Sequence, residues 1–104
     1  MFLFYIKNWI FSSRVFGGEK SEKDIVVFAL SACQWCKKGK QCLIGNNYNY
    51  RYVDVDFIPF EVKRVLKREL REFFNTMIRY PFLVVNGKEF SAGFNIDNWK
   101  EMLE

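Results

Sequence analysis

The chain has 104 residues, half of them hydrophobic and 19% aromatic, with twelve Phe, so it has material for one buried core and not for two. Sixteen Lys and Arg against twelve Asp and Glu leave a formal charge of +4, mild and mixed with acids, which argues against a nucleic-acid binder and leaves room for acidic protein partners. Three Cys are an awkward count for a secreted disulfide scaffold and fit a reducing, cytoplasmic setting, while no run is long and apolar enough to form a transmembrane span.

The first sixteen residues, "MFLFYIKNWIFSSRVF", group their apolar positions at a crude helical spacing, which predicts a short amphipathic helix. Such a helix either docks on its own domain or offers an aromatic face to a partner or a membrane surface. Lys7 and Asn8 break the apolar run and no small-residue cleavage site follows, so a signal peptide is not expected. "GGEKSEKD" then reads as a linker, dividing the chain into an N-terminal segment, 1–20, and a domain, 21–104.

From Ile25 the pattern is sharper. "IVVFAL" is a continuous apolar run, the mark of a strand covered on both faces. A helix is expected from Gln34 to Ile44, closed by Gly45, and "YRYVDVD" alternates as a second strand. Pro59 opens a second helix whose stripe is Val62, Val65, Leu66, Leu70, Phe73 and Phe74. The charges of "EVKRVLKRELRE" then form its solvated face. "FLVVN" is a third strand, Asn86 and Gly87 form a hairpin turn, and "KEFS" is the antiparallel partner. "NIDNWKEMLE" closes the chain as a helix capped by Asn95 or Asp97, with Ile96, Trp99 and Met102 or Leu103 facing inward.

The order is β-α-β-α-β-β-α. A right-handed crossover makes the first two strands parallel, and the hairpin adds an antiparallel pair. The expected α/β fold is a mixed four-stranded sheet with helices on both faces and its first strand central. The carboxyl end of that strand, where open α/β sheets hold their chemistry, is the address of "SACQWCKKGK".

Zinc needs about four ligands. Cys33 and Cys36 supply two, the chain has no His, and Cys42 falls on another face of the helix, so no metal site is expected. Thiol chemistry suits the position. Amide N–H groups at the helix start favour a Cys33 thiolate. A free thiol with a pKa of about 8.5 is only about 3% ionised at pH 7, and one lowered to about 6 is about 90% ionised. Cys36, one turn on and facing inward, can attack the mixed disulfide formed at Cys33. Cys42 reads as packing. Trp35 cannot be deeply buried at the helix start and can lie beside an incoming peptide or glutathione. Pro81 pushes Tyr80 towards an extended conformation, and a cis peptide there would turn the Tyr80 backbone towards a substrate strand.

These stretches resemble the glutaredoxins and glutaredoxin-like redoxins of the thioredoxin fold, from about Asp24 to Glu104. The likeness rests on "VVFALSACQWCKKGKQCL", "YRYVDVD", "RYPFLVVNGKEF" and "SAGFNIDNW". It implies a thiol-disulfide oxidoreductase with Cys33 attacking, Cys36 resolving, Tyr80 and Pro81 as the substrate-facing corner and Ala92 and Gly93 as a close-approach turn. It adds Arg79 and Phe94 to the substrate-binding set of Trp35, Tyr80, Pro81 and Gly93. Disulfide-containing proteins are the implied partners, with glutathione or a thioredoxin-reductase-type enzyme as electron donor and no tightly bound cofactor. Gln34 replaces a frequent Pro, and Leu30, Arg79 and Phe94 with Asn95 stand where glutathione-binding members usually carry other residues. The alternative implied by the likeness is a homodimer holding an iron-sulfur cluster with glutathione.

Overall fold

The structure is a computed structural model that describes residues 14–104. Among these residues, five strands form one sheet: β1 (Arg14–Phe16), β2 (Ile25–Ala29), β3 (Tyr50–Asp54), β4 (Phe82–Val85) and β5 (Glu89–Ala92). Their spatial order is β1-β3-β2-β4-β5. β2 runs parallel to β3 and antiparallel to β4, and β4 pairs antiparallel with β5. This is the mixed four-stranded sheet expected, with β2 in its middle, and β1 extends it by pairing antiparallel with β3. The helix expected over residues 1–16 therefore does not reach Arg14–Phe16, which are extended; the rest of that expectation lies outside the described residues.

Among the described residues, three helices cover the sheet: α1 (Gln34–Gly45), α2 (Phe60–Phe74) and α3 (Ile96–Leu103). Every residue of β2 is buried because alternate side chains enter different layers. Val26 and Phe28 pack with Val53, Phe82 and Val84 under Leu66, Leu70 and Phe74 of α2. Ile25, Val27 and Ala29 pack with Leu83 and Val85 under Cys36 and Leu43 of α1 and Trp99 and Leu103 of α3. Among the described residues no helix is long and apolar enough to cross a membrane.

Several element details differ from the sequence reading. Pro59 is the N-cap of α2, with an extended ψ of 142°, so the helix starts one residue later. Val62 is partly buried and Phe73, at the helix end, stays exposed with its ring edge-on to Phe74. Ile96, the first residue of α3, is also exposed, whereas Trp99 and Leu103 are buried and Met102 packs partly buried against the core. Asn86 and Gly87 both have positive φ, as a hairpin turn requires, and Lys88 joins that turn, so β5 begins at Glu89.

Candidate active site

The loop after β2 is drawn in by two contacts. Asp56, in the 3-10 turn Val55–Phe57 that follows β3, accepts the backbone N–H of Ser31 at 3.0 Å and also the Ser31 hydroxyl. The Cys33 N–H donates to Leu30 O at 3.2 Å, folding the chain back before the helix starts. Cys33 is then the N-cap of α1, with extended backbone (φ −84°, ψ 124°), and its Sγ accepts the Cys36 N–H at 3.4 Å. A sulfur in this place does for α1 what a Ser or Asp oxygen does at an ordinary N-cap. Ionised, it is better suited to that role than as a thiol.

Burial opposes a charge on Cys33, but hydrogen bonds from the Cys36 thiol and from the backbone N–H groups of Cys36 and Trp35 outweigh it, and the Cys33 thiol is lowered from its ordinary value. Cys36 is the reverse case. It is 1% exposed, and burial pushes its thiol up to about 12. The Leu30 N–H, at 3.5 Å from Cys36 Sγ, and the charge of Lys40 work against that rise, whereas a charged Cys33 adds to it. Both cysteines are free.

The pair Tyr80-Pro81 has a cis peptide bond and lies against the same helix. Pro81 is buried, and a Cβ added at Gly39, one turn after Cys36, would meet its Cγ at 3.3 Å. Tyr80 and Phe94 are partly buried and pack on the cluster that contains Cys36, as Cys33 does. Burial, with a contribution from Cys36, pushes the Tyr80 hydroxyl up to about 12. Gly93 has φ +90° and donates its N–H to Pro81 O at 3.0 Å, tying the turn after β5 to the proline. Arg79 is exposed, with its Cβ 4.0 Å from where a Gly93 Cβ would stand. Trp35 is 57% exposed on the outer side, with Lys38 Nζ 4.5 Å from its ring centroid.

The fold thus gathers Cys33, Cys36, Tyr80, Pro81, Gly93 and Phe94, with Trp35 and Arg79 on the rim. A family model described as Glutaredoxin matches residues 25–90, more than half of the chain. The chain belongs to the glutaredoxin family. Among solved structures it is similar to the glutaredoxin from Methanosarcina mazei Go1, at 25% identity over 88% of this chain and 86% of that one, with a TM-score of 0.75. It is also similar to methanoredoxin from Methanosarcina acetivorans, at 27% identity over 84% of this chain and 90% of that one, with a TM-score of 0.70. A glutaredoxin from Archaeoglobus fulgidus, 17% identical, shares the fold with a TM-score of 0.68 over 79% of this chain and 87% of that one. Comparison with curated protein sequences gave no match.

Three features of this glutaredoxin-like site escaped the sequence reading. Lys40 on α1 forms an ion pair with Asp54 at the end of β3, Nζ to Oδ1 3.2 Å, and its ammonium lies 4.1 Å from the Tyr52 ring centroid. The spacing Cys36 to Lys40, one helical turn, was the available signal. Gly39 and the Ser31–Asp56 link carry no sequence signal of their own, since each depends on which element packs against it. Among the described residues, no group of three or more His, Cys, Asp or Glu is disposed to hold a metal ion.

Proposed function

We propose that the protein is a thiol-disulfide oxidoreductase that reduces protein disulfides or glutathione-mixed disulfides. The observation that carries this reading is the contrast within one helical turn: Cys33 accepts an amide N–H and is lowered, and Cys36 is buried and raised. The Cys33 thiolate attacks one sulfur of the substrate disulfide; the S–S bond breaks, and the other sulfur leaves as a thiolate that takes a proton from water. Cys36 then loses its proton to solvent and attacks Cys33 Sγ. The second substrate sulfur leaves, the Cys33–Cys36 disulfide forms, and two electrons have passed to the substrate.

In this reading Tyr80 and Pro81 present backbone to the substrate, Gly93 allows its close approach, Trp35 and Phe94 give apolar contact, and Arg79 meets a carboxylate. The oxidised dithiol is returned by glutathione or by a reductase of the thioredoxin-reductase type, and free thiols of this kind suit a reducing compartment such as the cytoplasm. Asn95 caps α3, accepting the N–H groups of Asp97 and Asn98 at 3.1 Å, so its Oδ1 is already engaged by the helix. The test is reduction of a mixed-disulfide peptide, with glutathione plus its reductase compared against thioredoxin reductase. Cys33→Ser should abolish turnover, and Cys36→Ser should stall it at the mixed disulfide in the arm that contains no glutathione. Turnover that survives Cys33→Ser overturns the reading.

A further inference from the structure

The outer surface of α2 is divided by charge. Successive residues turn by about 100°, so Leu66, Leu70 and Phe74, all buried, mark the inner line. Arg64, Lys67, Arg68 and Arg71 fall along one flank, and Glu61, Glu69 and Glu72 along the other. Arg64, Lys67, Arg68 and Arg71 are exposed, and among the described residues none of the four takes part in an ion pair, although Glu61 and Glu72 lie within helical reach. Unpaired like charges in a row set up a local potential that draws opposite charge.

At the head of this flank stand two aromatic side chains that the core does not use, Phe57 at 71% and Phe60 at 66% exposure. The ammonium of Lys63 lies 5.8 Å from the Phe60 ring centroid. A short chain of contacts joins this corner to the dithiol. Asp56, next to Phe57, holds Ser31, which is two residues before Cys33. The hydrogen bonds from Ser31 are the main cause that holds the Asp56 carboxyl below its ordinary value, and the charge of Lys63 adds a smaller part. Trp35, two residues after Cys33, repeats the arrangement with Lys38. Two exposed aromatic side chains, Phe60 and Trp35, thus each carry a lysine ammonium at the ring.

We propose that Phe57, Phe60, Lys63 and the cationic flank of α2 form a docking surface for acidic client proteins, seating a disulfide that has acidic and apolar neighbours against Cys33. The inference rests on the reading of Cys33 as the attacking thiolate. Charge complementarity selects an acidic partner, and the dithiol selects one that brings a disulfide, which neither a phosphate backbone nor a lipid surface does. Asp56 and Glu61 border the aromatic pair and disfavour closely packed phosphates there.

The test uses the full chain and two disulfide-bonded peptides of equal length, one with Glu and Phe beside the cystine and one with Lys and Phe, together with bis(2-hydroxyethyl) disulfide as a small neutral substrate. The Glu peptide is expected to show a kcat/KM about tenfold higher than the Lys peptide at low salt. The gap should close near ~0.5 M salt. Arg64→Glu with Arg68→Glu should cancel or reverse the preference, and Phe57→Ser with Phe60→Ser should raise KM for both peptides. Turnover of the small disulfide should stay unchanged in every variant. Equal rates on the two peptides with the unmodified protein, or equal affinity for an acidic peptide lacking cystine, duplex DNA and anionic vesicles, would overturn the docking surface. Failure on the small disulfide itself would instead sink the redox reading. If a charge-reversed variant fails to fold, the salt dependence of the unmodified protein still decides.

Discussion

Gly39 on α1 lies against the indole of Trp99 on α3: a Cβ at residue 39 would stand 2.7 Å from Trp99 Cη2. Trp99 is fully buried and donates its Nε1–H to Gly93 O at 3.3 Å. The missing side chain lets α1, α3 and the Pro81 corner close together behind the dithiol. Gly39→Ala is expected to destabilise the fold by about 1–3 kcal/mol through overpacking, despite the better helix propensity of Ala. Gly45→Ala, where nothing lies within 4 Å, should be close to neutral. Denaturant midpoints of the two variants check the contrast; equal shifts would remove the packing argument.

The two active-site thiols should titrate in opposite directions. Cys33 is lowered in the folded state, so its thiolate stabilises the fold above the unfolded pKa of about 8.5, a contribution lost as pH falls through the folded value. Cys36 is raised to about 12, so its buried thiol stabilises the fold fully below the unfolded value of about 8.5 and ceases to do so as pH rises towards 12. Iodoacetamide followed by mass spectrometry should find Cys33 labelled and Cys36 unlabelled at neutral pH, with the Cys33 rate levelling off at a lower pH than that of a free thiol. Labelling of Cys36 in the folded protein at neutral pH would contradict this.

The Lys40–Asp54 pair is shielded, with side chains 21% and 14% exposed, so removing one partner leaves a charge in poor solvent. Asp54→Asn is expected to cost roughly 1–3 kcal/mol, less than the 3–5 of a fully buried pair. Lys40→Met should lose a similar amount and also move the Cys36 titration to higher pH, since the ammonium favours that thiolate. Lys40→Arg should restore the titration. A thiol titration that ignores all three variants would leave the pair a purely structural one.

The chain after β1 runs close to the loop that follows α1. A Cβ at Gly18 would collide with Tyr48 O, and Lys20 N–H donates to Asn47 O at 2.9 Å while Lys20 O accepts from Asn49 N–H at 2.8 Å. At Gly17 nothing lies within 4 Å. Gly18→Ala should therefore lower the thermal midpoint by several degrees, as a loss of about 1–3 kcal/mol does in a domain of this size, and Gly17→Ala should not. Matching midpoints would mean that the backbone yields there without cost.

From Ile25 onward the fold was legible because each element carries its own period and stop signal: the uninterrupted "IVVFA" of β2, the stripe of α2, the Asn-Gly turn. Cys33 and Cys36 were legible for the same reason, since two residues between cysteines at a helix start set one at the cap and the other inward. β1 was not. Three residues beside a glycine pair are too short to show alternation, and their pairing with Tyr50, Arg51 and Tyr52 is fixed only by the neighbouring edge. Phe57 and Phe60 were hidden for a different reason: hydrophobicity alone does not say that a side chain at a helix entrance points outward. Ile96 repeats that lesson at the entrance of α3.

β1 also changes how the molecule can meet copies of itself. Without it, the five-residue β3 would offer a ladder of unpaired backbone groups to any passing chain; with it, that side ends, among the described residues, in a strand of three residues. So short a border gives an intruding strand little to grip, which works against fibrillar growth at high protein concentration.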